Sequence, residues 1–290
     1  MSHSLPPASG KTLLEIENLG VRLGGRQVLE GLSLSLEGGV LCGLIGENGA
    51  GKTTLLRSIL GLQRISSGAI RLAGGTVGAM RDVVGYVPQK IAFYPQLPLR
   101  TRDLVELGIS GRHFGLPWRR RRYRAATEAA LAAVGAESFA QQRLGQLSGG
   151  QQQRAVIAHA LVRQPQLLLL DEPLANLDFR STTSLVQLLG RLVREHGITV
   201  LVTAHDMNPL LPVLDRLVYL VGGRAAAGTV DEVVRPEVLS RLYGYPVSVL
   251  RHHGRYLVLP DSPDGPGELR HAGTELPPPP PREHGACPQH

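Results

Sequence analysis

The chain is predicted to fold as an α/β domain built around a phosphate-binding loop, and three observations carry that prediction. The first is Gly46-Glu47-Asn48-Gly49-Ala50-Gly51-Lys52-Thr53, set between an apolar run, Val40 to Ile45, and a helix-forming run, Thr54 to Leu62. The second is the alternation of short apolar runs with helical stretches. The runs lie at Val40 to Ile45, Val83 to Pro88, Leu167 to Leu170 and Ile198 to Thr203, and the helical stretches at Lys52 to Leu62, Gln151 to Arg163 and Arg180 to Glu195. That order belongs to a sheet layered with helices. The third is the alternating pattern of Leu13 to Leu36 around Gly24-Gly25, which predicts antiparallel strands ahead of the parallel ones.

Between Pro95 and Gly145 the strand signal vanishes and Ala-rich, Arg-rich helical patterns replace it, notably Arg124 to Val134, so a helical subdomain is expected as an insertion into the sheet domain. After Pro260 the composition turns to Pro, Gly, Asp and His, with five consecutive prolines from Pro277 to Pro281, which cannot build a packed core. No internal repeat is visible, so one nucleotide cassette is expected. Cys42, inside an apolar strand, and Cys287, in the tail, are poor disulfide partners and fit a reducing compartment. The longest apolar runs fall far short of the roughly 20 residues that cross a bilayer, and the N-terminus has no signal-like apolar core. A membrane role therefore has to come through a partner. The formal charge of +7 and pI near 9.8 suit nucleic acid, an anionic lipid surface or an ordinary arginine-rich protein equally well, so they select no partner.

The glycines of the loop free successive backbone N–H groups to converge on phosphate oxygens, and the following helix presents its positive end. Lys52 is placed to reach the terminal phosphates and the Thr53 hydroxyl to ligate magnesium, so Gly46, Glu47, Asn48, Gly49, Ala50, Gly51, Lys52, Thr53 and Thr54 form the candidate nucleotide site. Leu167 to Leu170 lead into Asp171-Glu172, two carboxylates at the end of a strand, where ligands of open α/β sheets bind. Asp171 is the candidate magnesium holder and Glu172 the group that orients the attacking water, the alternative being a plain capped strand end. Leu147-Ser148-Gly149-Gly150-Gln151 opens a helix with Ser148 as cap and two glycines exposing backbone donors, either a second anion site or a mere helix start.

The order Lys52, Gln89, Leu147 to Gln151, Asp171-Glu172, Asp178 and His205 resembles the ATP-binding subunit of an ABC transporter over about Leu13 to Val249. The resemblance implies a P-loop ABC cassette with a mixed sheet, an N-terminal antiparallel β subdomain and an inserted helical subdomain. The expected division is a flexible 1–12, a cassette over 13–249 with its helical part at about 95–163, a strand extension over 250–260 and, from its composition, a disordered Pro/His-rich 261–290. It makes Gln89 the residue that senses magnesium and attacking water, His205 a contact to the terminal phosphate, and Asp178 part of a loop reporting across a subunit interface. Read from the residues alone, Gln89 is an exposed strand-end glutamine and Asp178 an N-cap. In the family Ser148, Gly149, Gly150 and Gln151 meet the ATP of a second cassette. Two chains are thus expected head to tail around ATP and Mg2+, on the cytoplasmic face of the membrane, beneath an integral permease that an extracytoplasmic binding protein supplies.

Such cassettes usually stack adenine on an early aromatic residue, whereas here the first aromatic is Tyr86 and Leu23 stands at the matching place. Ile91 to Leu99 is the candidate permease-docking groove, with subdomain core as the bland alternative, and Trp118 to Arg124 is read as a solvated helix face or a headgroup contact. From His205 to Pro209, Asp215 to Leu220 and Leu242 to Val247 the chain is similar to zinc or manganese import cassettes, with ferric-siderophore and cobalamin importers close behind. A cassette ATPase acting on nucleic acid or the ribosome is the competing class, and the lack of a long coiled coil or a second cassette speaks against it, so no nucleic-acid partner is expected. His284, Cys287 and His290 are evenly spaced in the tail but lack fixed geometry for a metal clip.

Overall fold

The computed structural model describes residues 11–77, 83–89, 98–110 and 120–261, without the side chains of residues 110 and 120–122. Residues 1–10, 78–82, 90–97, 111–119 and 262–290 lie outside it, and with them most of the Ile91 to Leu99 groove, the start of the arginine run, and the tail with His284, Cys287 and His290.

β1 (Thr12–Leu23) and β2 (Arg26–Glu37) pair antiparallel as the alternation requires, and Gly24 and Gly25 turn the chain with φ of 54° and 81°. β3 (Leu41–Ile45) leads into α1 (Lys52–Ile59), which stops short of Leu62 because Gly61 takes φ 69°. β4 (Ser67–Leu72) and β5 (Gly75–Thr76) complete a four-stranded antiparallel sheet in the order β2-β1-β4-β5. β6 (Val84–Val87) follows, and then α2 (Thr101–Ser110), α3 (Arg120–Val134) and α4 (Gly149–Leu161) pack on one another before β7 (Leu167–Leu170) returns alongside β6. The three helices are thus an insertion between two neighbouring parallel strands.

α5 (Phe179–His196) precedes β8 (Thr199–Ala204), and β9 (Arg216–Val221) and β10 (Arg224–Gly228) form a terminal hairpin. The main sheet runs β10-β9-β3-β8-β7-β6, parallel throughout except at β10. Two short helices, α6 (Val230–Val233) and α7 (Pro236–Tyr243), lead to an antiparallel pair, β11 (Val247–His252) and β12 (Arg255–Pro260). A boundary between 249 and 250 therefore cuts through β11. The end unit is a hairpin from Val247 to Pro260 rather than a strand appended to a finished domain.

The alternation along β3 shows how the core is divided. Leu41 and Ile45 enter the cluster shared with α4, α5 and the inserted helices, while Cys42 and Leu44 enter the cluster shared with α1 and the antiparallel sheet. α1 is consequently gripped between the two sheets, with Leu55, Leu56 and Ile59 fully buried. That clamp fixes the loop that precedes it. Among the described residues no helix is long and apolar enough to cross a membrane.

Candidate nucleotide site

The phosphate loop leaves β3 at the carboxyl edge of the parallel sheet and enters α1 within a few residues. Gly46 is buried, and a Cβ there would run into the Leu220 carbonyl oxygen and come within 3.3 Å of the Ala50 methyl. Gly51 has φ 109° and a Cβ there would lie 2.8 Å from Leu29 Cδ2. Both positions require glycine for a close backbone approach, which is what draws the loop tightly around the helix start.

Lys52 is buried, and its ammonium donates to the carbonyls of Gly46 at 2.7 Å and Glu47 at 3.1 Å while standing 3.2 Å from Glu172 Oε1. An ammonium has three protons, so these contacts use its whole donor capacity. The other Glu172 oxygen, Oε2, accepts from Gln89 Nε2 at 2.6 Å. Asp171 is 2 % exposed, with Oδ2 accepting from Thr53 Oγ1 at 2.9 Å and Oδ1 from Thr203 Oγ1 at 3.0 Å. Thr203 Oγ1 in turn accepts the Glu172 backbone N–H at 2.7 Å. Glu172 itself takes φ 48°, a left-handed conformation uncommon for a non-glycine residue, and the bond to Thr203 helps hold it there. Lys52, Thr53, Gln89, Asp171 and Glu172, expected together from sequence, thus form one bonded network.

Thr203 was not among the expected site residues. Its signal was a hydroxyl near the carboxyl end of a mostly apolar strand, directly before Ala204-His205. His205 is placed by register rather than by a bond. Ile45 pairs with Ala204 across β3 and β8, and Leu170 pairs with Val202 across β7 and β8. His205, exposed, therefore projects from the sheet edge between the phosphate loop and the acidic pair.

Ser148 stands apart from this network. Its hydroxyl accepts the Gln151 backbone N–H at 3.3 Å and Gln151 Oε1 accepts the Ser148 N–H at 3.0 Å, a reciprocal capping box on α4. Among the described residues no hydrogen bond or ion pair ties Ser148, Gly149, Gly150 or Gln151 to the phosphate loop. Its neighbours are the loop after β7 and the start of α5: a Cβ on Gly149 would lie 3.8 Å from Leu177 Cδ2 and one on Gly150 3.1 Å from Ser181 Oγ. Asp178 caps α5, accepting from Ser181 N at 2.8 Å and Ser181 Oγ at 2.9 Å, and those bonds hold its carboxyl below the usual carboxylate range. Leu23, where an aromatic was missed, is 40 % exposed at the end of β1.

A buried lysine, a glycine-cradled helix start and a carboxylate pair closing on them define a nucleoside-triphosphate-hydrolysing P-loop protein. The ABC transporter family matches residues 29–175, and the chain belongs to that family as an ATP-binding subunit, an ATPase coupled to transport. It is 36% identical over 258 residues to the zinc import ATP-binding protein ZnuC of Brucella suis, covering 88% of this chain and 81% of that one. The manganese transport system ATP-binding protein MntB of Halalkalibacterium halodurans is 33% identical, covering 80% and 92%. The aliphatic sulfonates import ATP-binding protein SsuB of Pseudomonas fluorescens is 34% identical, covering 91% and 93%. Among solved structures, an inward-facing metal-chelate type ABC transporter matches with TM-score 0.71 at 26% identity, over 86% of this chain and 96% of that one.

Proposed function

We propose that this chain hydrolyses ATP to power import of a divalent metal ion, zinc or manganese, through a separate membrane permease. The observation that carries the hydrolytic half is the network in which Lys52 and Gln89 both hold Glu172. With ATP bound, Lys52 would exchange Glu172 for terminal phosphate oxygens, freeing that carboxylate to orient and accept a proton from the attacking water. Gln89, at the end of β6 ahead of the inserted helices, would follow the same exchange and transmit it toward the permease. His205 would contact the terminal phosphate from the neighbouring strand end.

Asp171 fits a magnesium ion: it is a buried carboxylate whose bonds come from two neutral hydroxyls, and a buried charge of that kind is costly without a cation. Thr53, Asp171 and Gln89 are the residues that would hold the ion. When bound it would neutralise phosphate charge. Ser148 to Gln151, standing free of the chain's own phosphate loop, would serve the ATP of a second copy, with Asp178 at that junction. The subunit would sit on the cytoplasmic face of the membrane, and the permease would receive its cargo from an extracytoplasmic binding protein.

The metal assignment is supported by the zinc and manganese relatives. A second reading, import of a metal chelate, is favoured by the solved neighbour of that type, while the sulfonate relative marks how widely one cassette is reused. The test is the elemental content of cells lacking this chain, with and without the wild type or Glu172→Gln, under metal limitation. A selective fall in zinc or manganese that Glu172→Gln does not restore is expected. A fall in iron alone would shift the assignment to a chelate, and unchanged content would overturn the metal reading.

A further inference from the structure

The segment that carries His205 is tied to the far end of the described chain. Asp206 Oδ1 accepts the backbone N–H of Asn208 at 2.9 Å and its Nδ2 at 2.8 Å, a tight Asx turn directly after His205. Asn208 Nδ2 also donates to the Tyr256 carbonyl at 3.0 Å, and Asn208 Oδ1 accepts the Tyr256 N–H at 2.8 Å. A carboxamide offers the same donor and acceptor as a peptide group. Asn208 therefore pairs with one residue of β12 as a strand would, over a separation of 48 residues.

The hairpin that receives it is itself anchored. Val249, Tyr256 and Val258 pack on the main core, Val247 is buried with its N–H bonded to Ser240 Oγ at 3.0 Å, and the Tyr256 hydroxyl donates to Asp231 at 3.0 Å. On the near side, Met207 and Leu210 are buried beside Asn208. His205 thus lies between two fixed points, the end of β8 and the Asn208 contact, although its own side chain is exposed.

We propose that Asn208 is a positioning residue for His205, using the β11-β12 hairpin as a brace that holds the histidine loop at the terminal phosphate. The inference rests on the reading of His205 as a phosphate contact. It assigns the C-terminal hairpin a part in hydrolysis that stability alone would not require.

The test is steady-state ATP hydrolysis by the full chain as wild type, His205→Ala, Asn208→Ala and the double variant. A group misplaced by about 1 Å can cost up to about 100-fold, so a partial slackening in Asn208→Ala is expected to lower kcat about tenfold with KM for ATP within about twofold. If Asn208 acts through His205, the double variant is no slower than His205→Ala. Leu250→Ser, on the exposed outer face of the hairpin, should keep wild-type kcat. Wild-type kcat in Asn208→Ala, or losses that multiply in the double variant, would overturn the inference while leaving His205 intact. Wild-type kcat in His205→Ala would overturn both readings. Should Asn208→Ala not fold, Asn208→Asp keeps the acceptor for Tyr256 N–H but loses the donor, and the same comparison applies.

Discussion

At the scale of single residues the site is a competition for one lysine. Lys52 is saturated by two carbonyls and Glu172, so on the proposed reading a terminal phosphate would take the place of the carboxylate before hydrolysis begins. Glu172→Gln removes the ion pair and, on the proposed reading, the base with it. It should bind ATP at least as tightly as wild type while hydrolysis falls by at least about 100-fold, the contribution of a positioned proton acceptor. Equilibrium binding beside single-turnover hydrolysis checks both halves, and normal turnover would mean that another group is the base. Gly46→Ala tests the cradle, since its methyl would meet the Leu220 carbonyl; a lower melting temperature and weaker ATP binding are expected together. The base end of the nucleotide should differ too. Base–aromatic stacking is worth roughly 1–3 kcal/mol, and with Leu23 in place of an aromatic, ATP and GTP should bind with similar affinity, with Leu23→Tyr restoring a stronger hold. Residues whose chemistry demands a rare type, such as Lys52 and Glu172, were legible from sequence. Thr203 and Asn208 were not, because their work is hydrogen bonding to partners that only folding brings near, and hydroxyls and carboxamides at such places are common.

At the scale of elements, the parallel strands were legible where both faces are buried and the run is continuously apolar, as at Leu167 to Leu170. β4, β5 and β10 are short or contain Gly, Ala and Arg, so their pairing follows from neighbours rather than from their own pattern. The inserted helices were visible as a class, and α3, from Arg120 to Val134, takes in both the clearest helical stretch, Arg124 to Val134, and most of the arginine run before it. α5 joins the acidic strand end to β8, and its stability bears directly on the site. Leu189 is fully buried on it, and Leu189→Ala should cost about 2–5 kcal/mol in chemical denaturation. Its cap gives a pH signature. Because Ser181 holds the Asp178 carboxyl below its unfolded value, the charge contributes stability that is present above the unfolded pKa and is lost as pH falls through the folded one. Asn is an equally good cap without the charge. Asp178→Asn should therefore melt below wild type at neutral pH, with the gap closing as the pH is lowered through the carboxylate range; a gap independent of pH would show that Asp178 adds nothing through its charge.

At the scale of the whole molecule, the distribution of the site over the fold is the central fact. Lys52, Thr53, Gln89, Asp171 and Glu172 are bonded into one network, whereas Ser148 to Gln151 cap α4 beside the Asp178 loop and the start of α5, and among the described residues no hydrogen bond or ion pair joins them to that network. A head-to-tail pair of chains would complete two sites, each with the phosphate loop of one copy and the Ser148 helix start of the other. This arrangement makes a sharp prediction for mixtures. Lys52→Ala loses the phosphate loop but keeps a sound Ser148 segment, and Ser148→Arg does the reverse, so each variant alone should be inactive. Combined, half of randomly formed pairs would be mixed, and each mixed pair would hold one complete site out of two. ATP hydrolysis should then recover to about a quarter of the wild-type rate if the two sites turn over independently. The rate should also rise with the square of dilute chain concentration, since two copies must meet. A mixture as inactive as its parts, together with hydrolysis strictly proportional to chain concentration in the wild type, would mean that one chain builds its site unaided and that Ser148 is only a helix cap.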